Sequence, residues 1–277
     1  MALTSALRRP SREAADTPST LRRHINLTLE LAWTQFKLKY TGSVLGYFWS
    51  LLKPLMLFSI MYAIFVVLFK QRSNEFALQL LVGVVIFTFF TDATGVAMSS
   101  IAGAGHLIRK AYFPRGILVV ASTITALLTM MINLTLIVAV AAPLGHLHFG
   151  LRSLALPVLL LELYALALGF AFLLSALFVF YRDLGHVWEI VTQVLFYASA
   201  IVYPSTAVPA RFRGLFFINP LAQIIEDVRH AIVVDVVPWT AGYVGMRLLI
   251  PLGITAAILG VGLLVFRRLT PVFAEYL

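Results

Sequence analysis

The few ionisable side chains that fall inside this chain's apolar runs are the first place to look for chemistry. Asp92 and Glu162 lie deepest in such runs, and Glu189 stands near the start of a shorter one, beside Arg182 and Asp183. A charge at the centre of a bilayer costs about 2.5–3.5 kcal/mol on insertion scales, so each acid must pack against polar groups, line an aqueous path or carry protons. Thr88, Thr91 and Thr94 surround Asp92 and offer it hydrogen bonds within a helix bundle. No cationic partner for Asp92 or Glu162 is evident in another span, which weakens a proton-coupled carrier. The densest ionisable group is Glu226, Asp227, Arg229 and His230, in "IIEDVRH". It is the nearest approach to an enzyme site, although a solvated helix face is the simpler reading. His146 and His148, in "PLGHLHFG", could chelate a metal, but no carboxylate lies close by, so a plain loop is preferred and no metal site is expected.

Other chemistries lack their residues. There is no G-x-x-x-x-G-K-[ST] loop to cradle a nucleotide's phosphates, and "GAG" at Gly103–Gly105 lacks both the third glycine and the preceding strand of a dinucleotide site. Neither H-E-x-x-H nor G-x-S-x-G occurs. With no cysteine, disulfides, thiolate metal sites and cysteine nucleophiles are excluded. The expectation is a protein that is not itself an enzyme and holds no cofactor of its own.

The elements that carry these residues follow from composition. Of the 277 residues 61% are hydrophobic and 12% charged, against roughly 25% charged in a soluble domain. Mean hydropathy is +0.94. Lipid must therefore be the solvent for most of the chain, and the fold class is all-α integral membrane. Six runs read as spans: 50–69, 77–97, 117–142, 154–180, 187–203 and 241–266, the fifth of them short. Between the last two, residues 204–238 are too polar to span and too apolar for an ordinary loop. Two short, half-buried re-entrant helices separated by Asn219-Pro220 fit them. With both termini cytoplasmic, most of the 21 lysines and arginines fall on the inner side, and the net charge of +9 suits anionic headgroups rather than nucleic acid.

Residues 1–20 read as a disordered basic arm without the apolar core of a signal peptide. Over 21–40, Ile25, Leu29, Ala32, Trp33, Phe36 and Tyr40 form one apolar stripe, with Arg23, Asn26, Glu30 and Lys37 opposite. This pattern predicts an amphipathic helix in the membrane interface. Leu27, Leu31 and Leu38 lie off the stripe and leave room for a second partner, such as the base of the bundle. The helix is either an anchor or a moving gate. Gly42 and Gly46 then form G-x-x-x-G, a helix-packing spacing. Lys53 either snorkels to the headgroups or meets an anion at a portal, and Pro54 falls in the first turns of its span, where a missing N–H costs least.

Several segments, in order along the chain, resemble one family. "ELAWTQFKLKYTGSVLGYFWSLLKPL" (Glu30–Leu55) resembles the opening signature of permease subunits of type-2 ABC exporters that move O-antigen, capsule or teichoic acid. "LIRKAYFPRGILVV", "FVFYRDLGHVWEIVTQVLFYASAIVYP" and "FRRLTPVFAEYL" are similar to that family's second cytoplasmic loop, its Arg-Asp turn before span five and its closing tail. The resemblance implies a homodimer of six-span permeases joined to two copies of a separate ATPase, which would bind ATP and Mg. It implies a coupling helix at 105–115, with Arg109, Lys110 and Arg115 toward the ATPase and Phe113 and Pro114 as apolar anchor. A gate helix would carry Trp33, Phe36, Lys37 and Tyr40. A lipid-linked glycan with a pyrophosphate head would enter past Arg23 and Lys53 and slide along Tyr47, Trp49, Tyr62, Phe89, Phe90, Tyr197 and Tyr203. Residues 204–238 would close the outer side, and Arg182 and Asp183 would lock the turn between spans four and five. A type-2 drug or small-lipid exporter shares this architecture; a proton-coupled carrier and a membrane-embedded glycan enzyme are readings from other classes.

Overall fold

In lipid, a backbone N–H or C=O without a partner costs several kcal/mol, so long apolar runs must close their hydrogen bonds within helices. The computed structural model describes residues 18–43, 46, 48–64, 74–105, 114–143, 147, 150–203, 205–233 and 239–276. These form helices and turns with one isolated antiparallel bridge, between Leu147 and Val233. Helices α1 (Pro18–Tyr40) and α2 (Phe48–Tyr62) precede the long α3 (Asn74–Gly103) and α4 (Gly116–Ala141). Next come α5 (Leu156–Phe178), which continues a 3-10 turn at Leu151–Ala155, and α6 (Leu184–Ala198). The shorter α7 (Ala210–Phe216), α8 (Pro220–Ile232) and α9 (Thr240–Val244) lead to α10 (Leu249–Leu269) and a terminal turn, α11 (Phe273–Tyr276).

Among the described residues, four stretches are long and apolar enough to cross a bilayer: Phe76–Gly103, Gly116–Ala141, Leu151–Phe178 and Leu249–Val272. The expected first and fifth spans are shorter among the described residues. Helices α2 and α6 have 15 residues each, about 22 Å of helix against a hydrocarbon core of about 30 Å.

Helix α3 is the hub, packing on α2, α4, α5, α6 and α8. Val82, Val84, Val85 and Ile86 are all buried although they point in different directions, as in a helix with neighbours all round. Helices α5 and α10 cross backbone to backbone at Gly169 and Gly262. A Cβ built on Gly169 would stand 2.7 Å from the Leu259 backbone nitrogen, and one on Gly262 would strike the Gly169 carbonyl. Small residues permit such crossings where dispersion, rather than water, drives association.

Helix α1 rests on α4 along only part of its predicted stripe. Ala32 and Phe36 are buried, and the Thr125 hydroxyl donates to the Ala32 carbonyl at 3.1 Å. Ile25, Leu29 and Trp33 remain about half exposed, while off-stripe Leu27 and Leu31 are half-buried. The apolar surface is thus two adjoining strips, one facing protein and one exposed. Gly42 and Gly46 adopt φ of +80° and +49° in the connection to α2, so this glycine pair serves a turn and not a helix crossing.

Pro54 lies inside α2, not at its first turn. Its missing N–H leaves the Ser50 carbonyl without its helical donor. Asn133 of α4 supplies one, its Nδ2 donating to Ser50 O at 3.3 Å.

Helix α8 begins at Pro220, with Asn219 as its cap: the Asn219 side chain accepts from the Leu221 N–H at 3.0 Å. Sequence reading expects this segment to be half-buried. Instead every α8 residue except His230 is buried.

Candidate functional site

Two polar clusters stand out, and they differ in access. The first belongs to α8. Arg229, 2% exposed, donates through Nε to Gln79 O at 2.8 Å, and through Nη1 and Nη2 to the carbonyls of Ala200 and Ile201 at 2.8 and 3.0 Å. Glu226 pairs with it at 3.5 Å and accepts from the Ser205 hydroxyl. Asp227 accepts from Gln223 Nε2 at 2.8 Å and from both the N–H and the hydroxyl of Thr240. The His230 ring packs on Trp239 with centroids 4.4 Å apart. A solvated face is therefore the wrong description of this quartet: three of its members are the charged core of α8. The cluster also holds a strained residue in place, because Ala200 has φ +51°, which costs a residue with a Cβ of order 1–3 kcal/mol. Gly83 makes the room, since a Cβ there would lie 2.6 Å from Arg229 Nη2.

The second cluster is open. Asp92 accepts from Lys53 Nζ of α2 at 2.9 Å and faces Lys39 Nζ of α1 at 3.7 Å. The acid that lacked an evident cationic partner in the sequence has two, brought by separate helices. Its threonine neighbours do not serve it: Thr91 and Thr94 donate to carbonyls of their own helix, and Thr94 also accepts from the Trp188 indole N–H. Asp92 lies about 16 Å along α3 from its Gly103 end at 1.5 Å per residue. Both lysines nevertheless remain open, with side-chain exposures of 36% for Lys39 and 67% for Lys53. Beside the pair is a cavity of about 460 Å³ among α1, α3 and α4, lined by Gln35, Lys39, Asp92, Ser99, Ser122, Thr125 and small apolar residues. The hydroxyls of Ser99, Ser122 and Thr125 donate to helix carbonyls. The cavity's side-chain donors are thus the Lys39 ammonium and the Gln35 amide, which suit an oxygen-rich ligand.

The other candidate residues are dispersed. Trp33 is half exposed and stacks on Phe36 at 5.8 Å, with Lys37 Nζ 5.3 Å from its ring. Arg23, Trp49, Tyr62 and Tyr197 are exposed, and Tyr203 donates its hydroxyl to Tyr197 O at 2.7 Å. Phe89 and Phe90, expected along a channel, are core residues at 3% and 1% exposure. Phe90 meets Phe170 of α5 and Trp188 of α6. Pro114 is exposed. Arg115 is half-buried, its guanidinium 5.9 Å from the buried ring of Phe273 in the C-terminal turn. Arg182 lies over Phe178, and Asp183 precedes α6 without capping it through its side chain. Glu189 is exposed, and Glu162 is half-buried with Oε1 unpartnered among the described residues. Arg109, Lys110, Phe113, Tyr47, His146, His148, the arm through residue 17 and most of the 105–115 loop lie outside the described residues, as does the side chain of Tyr40.

Sequence reasoning missed Thr240, Ser205 and Gln79 around Arg229, and Asn133 opposite Pro54. The local signals were the Glu226–Arg229 spacing of i, i+3 and the Gln223–Asp227 spacing of i, i+4. The remaining partners lie 13 to 150 residues away in the chain.

Long apolar helices around a hub, with a polar cavity opening between them, define a multi-pass membrane protein. More specifically, the chain belongs to the ABC-2 type transporter family, whose profile matches residues 26–233. It is 27% identical over 242 residues to an O-antigen export system permease protein, RfbA, of Klebsiella pneumoniae, covering 87% of this chain and 91% of that one. A second Klebsiella pneumoniae protein of the same name is 26% identical over 241 residues, covering 87% and 91%. The RfbA of Myxococcus xanthus is 26% identical over 203 residues, covering 73% of this chain and 78% of its own.

Proposed function

We propose that this chain is the permease subunit of an ATP-driven exporter that moves a lipid-linked polysaccharide across the bacterial cytoplasmic membrane. The observation that carries this reading is its similarity, over most of both chains, to permeases named for O-antigen export. The open Lys39–Lys53–Asp92 site agrees with it, since a pyrophosphate-headed substrate needs cations at its point of entrance. In this reading two copies form the channel and two separate ATPase subunits supply ATP and Mg. Helices α2 and α6 complete six spans, and both termini are cytoplasmic. The loop 105–115 couples to the ATPase, α1 gates the inner side, and α7 and α8 close the outer side. Exposed Trp49, Tyr62 and Tyr197 remain candidates to face the glycan; Phe89 and Phe90 do not.

Deletion of the gene in its own host tests the proposal. Surface polysaccharide should disappear and return with the intact gene, and an ATPase subunit should co-purify with the permease. Undiminished surface polysaccharide in the deletion strain would overturn it. Trp33→Ala should lower export without loss of membrane insertion; full export in that variant would reduce α1 to an anchor.

A further inference from the structure

A second cavity, of about 140 Å³, lies among α2, α3 and α4. Aliphatic side chains and Pro54 make its walls, and Asn133 is the one polar residue of the lining. Leu136 and Val140, also of the lining, are exposed, so the space borders the outer surface of the bundle and a guest has a way in. Asn133 is fixed from α2: its Nδ2 donates to Ser50 O at 3.3 Å, the carbonyl that Pro54 leaves without a helical donor. Its Oδ1 is an acceptor without a partner among the described residues, on a side chain of a residue only 4% exposed. A buried amide oxygen ordinarily accepts a hydrogen bond. Water meets that need poorly, because a buried water makes about two to four hydrogen bonds and these walls offer one polar side chain. Apolar cavities of about 150 Å³ stay dry and take up a molecule of the size of benzene. The guest that matches both volume and walls has a benzene-sized apolar body and a single hydroxyl.

We propose that this cavity is a binding site for a small aromatic alcohol of the phenol or benzyl alcohol class. The hydroxyl donates to Asn133 Oδ1, and the ring packs on Leu81, Val85 and Leu136. The same walls exclude a charged guest, or one with several polar groups, since each further donor or acceptor would be buried without a partner. Because the walls come from three helices, a bound guest holds α2 against α3 and α4, and binding to the folded state raises stability. The site does not depend on what the chain transports.

The test titrates the full chain in nanodiscs with benzyl alcohol, with its isomer anisole, which has no donor, and with toluene. Affinities are referred to the amount of each dissolved in the lipid, and empty nanodiscs give the background of partitioning. Benzyl alcohol should bind saturably, one per chain, about three- to tenfold more tightly than anisole or toluene, the worth of one hydrogen bond. The melting temperature should rise over the same range of concentration. Leu81→Phe and Val85→Phe, which fill the space from α3, should each abolish saturable binding. Asn133→Leu is made in the Pro54→Ala background, where Ser50 O regains a helical N–H. It should still bind toluene but lose the preference for benzyl alcohol, which Pro54→Ala alone should keep. Uptake no greater than that of empty nanodiscs would overturn the site. Equal affinity for the three compounds in the wild-type chain, a comparison that needs no variant to fold, would overturn recognition of the hydroxyl. Undiminished binding in both filled variants would overturn the assignment to this cavity.

Discussion

Arg229 and Lys53 each meet a carboxylate of this bundle, yet their surroundings are opposite. Arg229 is sealed, with side-chain exposure of 2% beside Glu226 at 4%, and its donors reach three main-chain carbonyls besides that acid. Lys53 is 67% exposed and Asp92 23%, and Asp92 is the one acceptor recorded for Lys53 among the described residues. The carbonyls explain why arginine occupies the sealed site: a planar fork with five N–H groups can satisfy several fixed acceptors, which an ammonium cannot match in geometry. A lysine on a flexible stem suits the open site, where the partner must be exchangeable. Charge in an apolar bundle is thus structural where every donor and acceptor is fixed, and available for binding where one carboxylate is shared between mobile cations.

The most direct way to break this contrast is Arg229→Ala. It would strand Glu226 and three carbonyls, and removing one partner of a buried pair costs about 3–5 kcal/mol. Melting in detergent should fall sharply, and little folded protein should reach the membrane. Lys39→Gln with Lys53→Gln should shift stability by less than about 1 kcal/mol, as exposed ion pairs do, while export falls. Comparable losses of stability in the two variants would erase the distinction.

A smaller effect is expected at Thr240. It donates to Asp227 through both backbone and hydroxyl, and Thr240→Val removes only the hydroxyl. Asp227 keeps two donors, Gln223 Nε2 and the Thr240 N–H, so the cost should be about 1–3 kcal/mol, the penalty for one lost bond to a buried polar group. A melting temperature equal to the wild type would mean that this end of the cluster is not sealed.

How much of this was legible in the sequence depends on range. Four of the six apolar runs and the Asn219-Pro220 helix start follow from local rules about hydrogen bonding and are recovered, whereas the Gly42–Gly46 spacing suggests a helix crossing and serves a turn instead. The α1 stripe was half right, because periodicity reports an apolar face but cannot divide it between protein and lipid. Arg229 was misread because Gln79, its carbonyl partner, is 150 residues away, and nothing in "IIEDVRH" records that its charge is enclosed. Asp92 did carry a signal, since an acid inside a span requires a partner. Which lysines answer that need is decided by how α1 and α2 fold back on α3, and spacing does not encode that.

Asn133 stands between the two regimes and gives the finest test of the comparison. It is 4% exposed, its Nδ2 serves the Ser50 carbonyl, and its Oδ1 has no partner among the described residues. If its purpose is to replace the N–H that Pro54 lacks, its value depends on the proline. Asn133→Leu alone should cost about 1 kcal/mol by taking its Nδ2 donor from Ser50 O, partly offset by relief of the orphan oxygen. Pro54→Ala restores an N–H that can bond to Ser50 O, so in that background Asn133→Leu should cost nothing or stabilise. A double-mutant cycle in nanodiscs would read a coupling of about 0.5–1.5 kcal/mol between residues that share no direct bond. Additive effects would mean that α2 satisfies its carbonyl some other way, and that Asn133 belongs with the open, binding half of the molecule rather than with its sealed half.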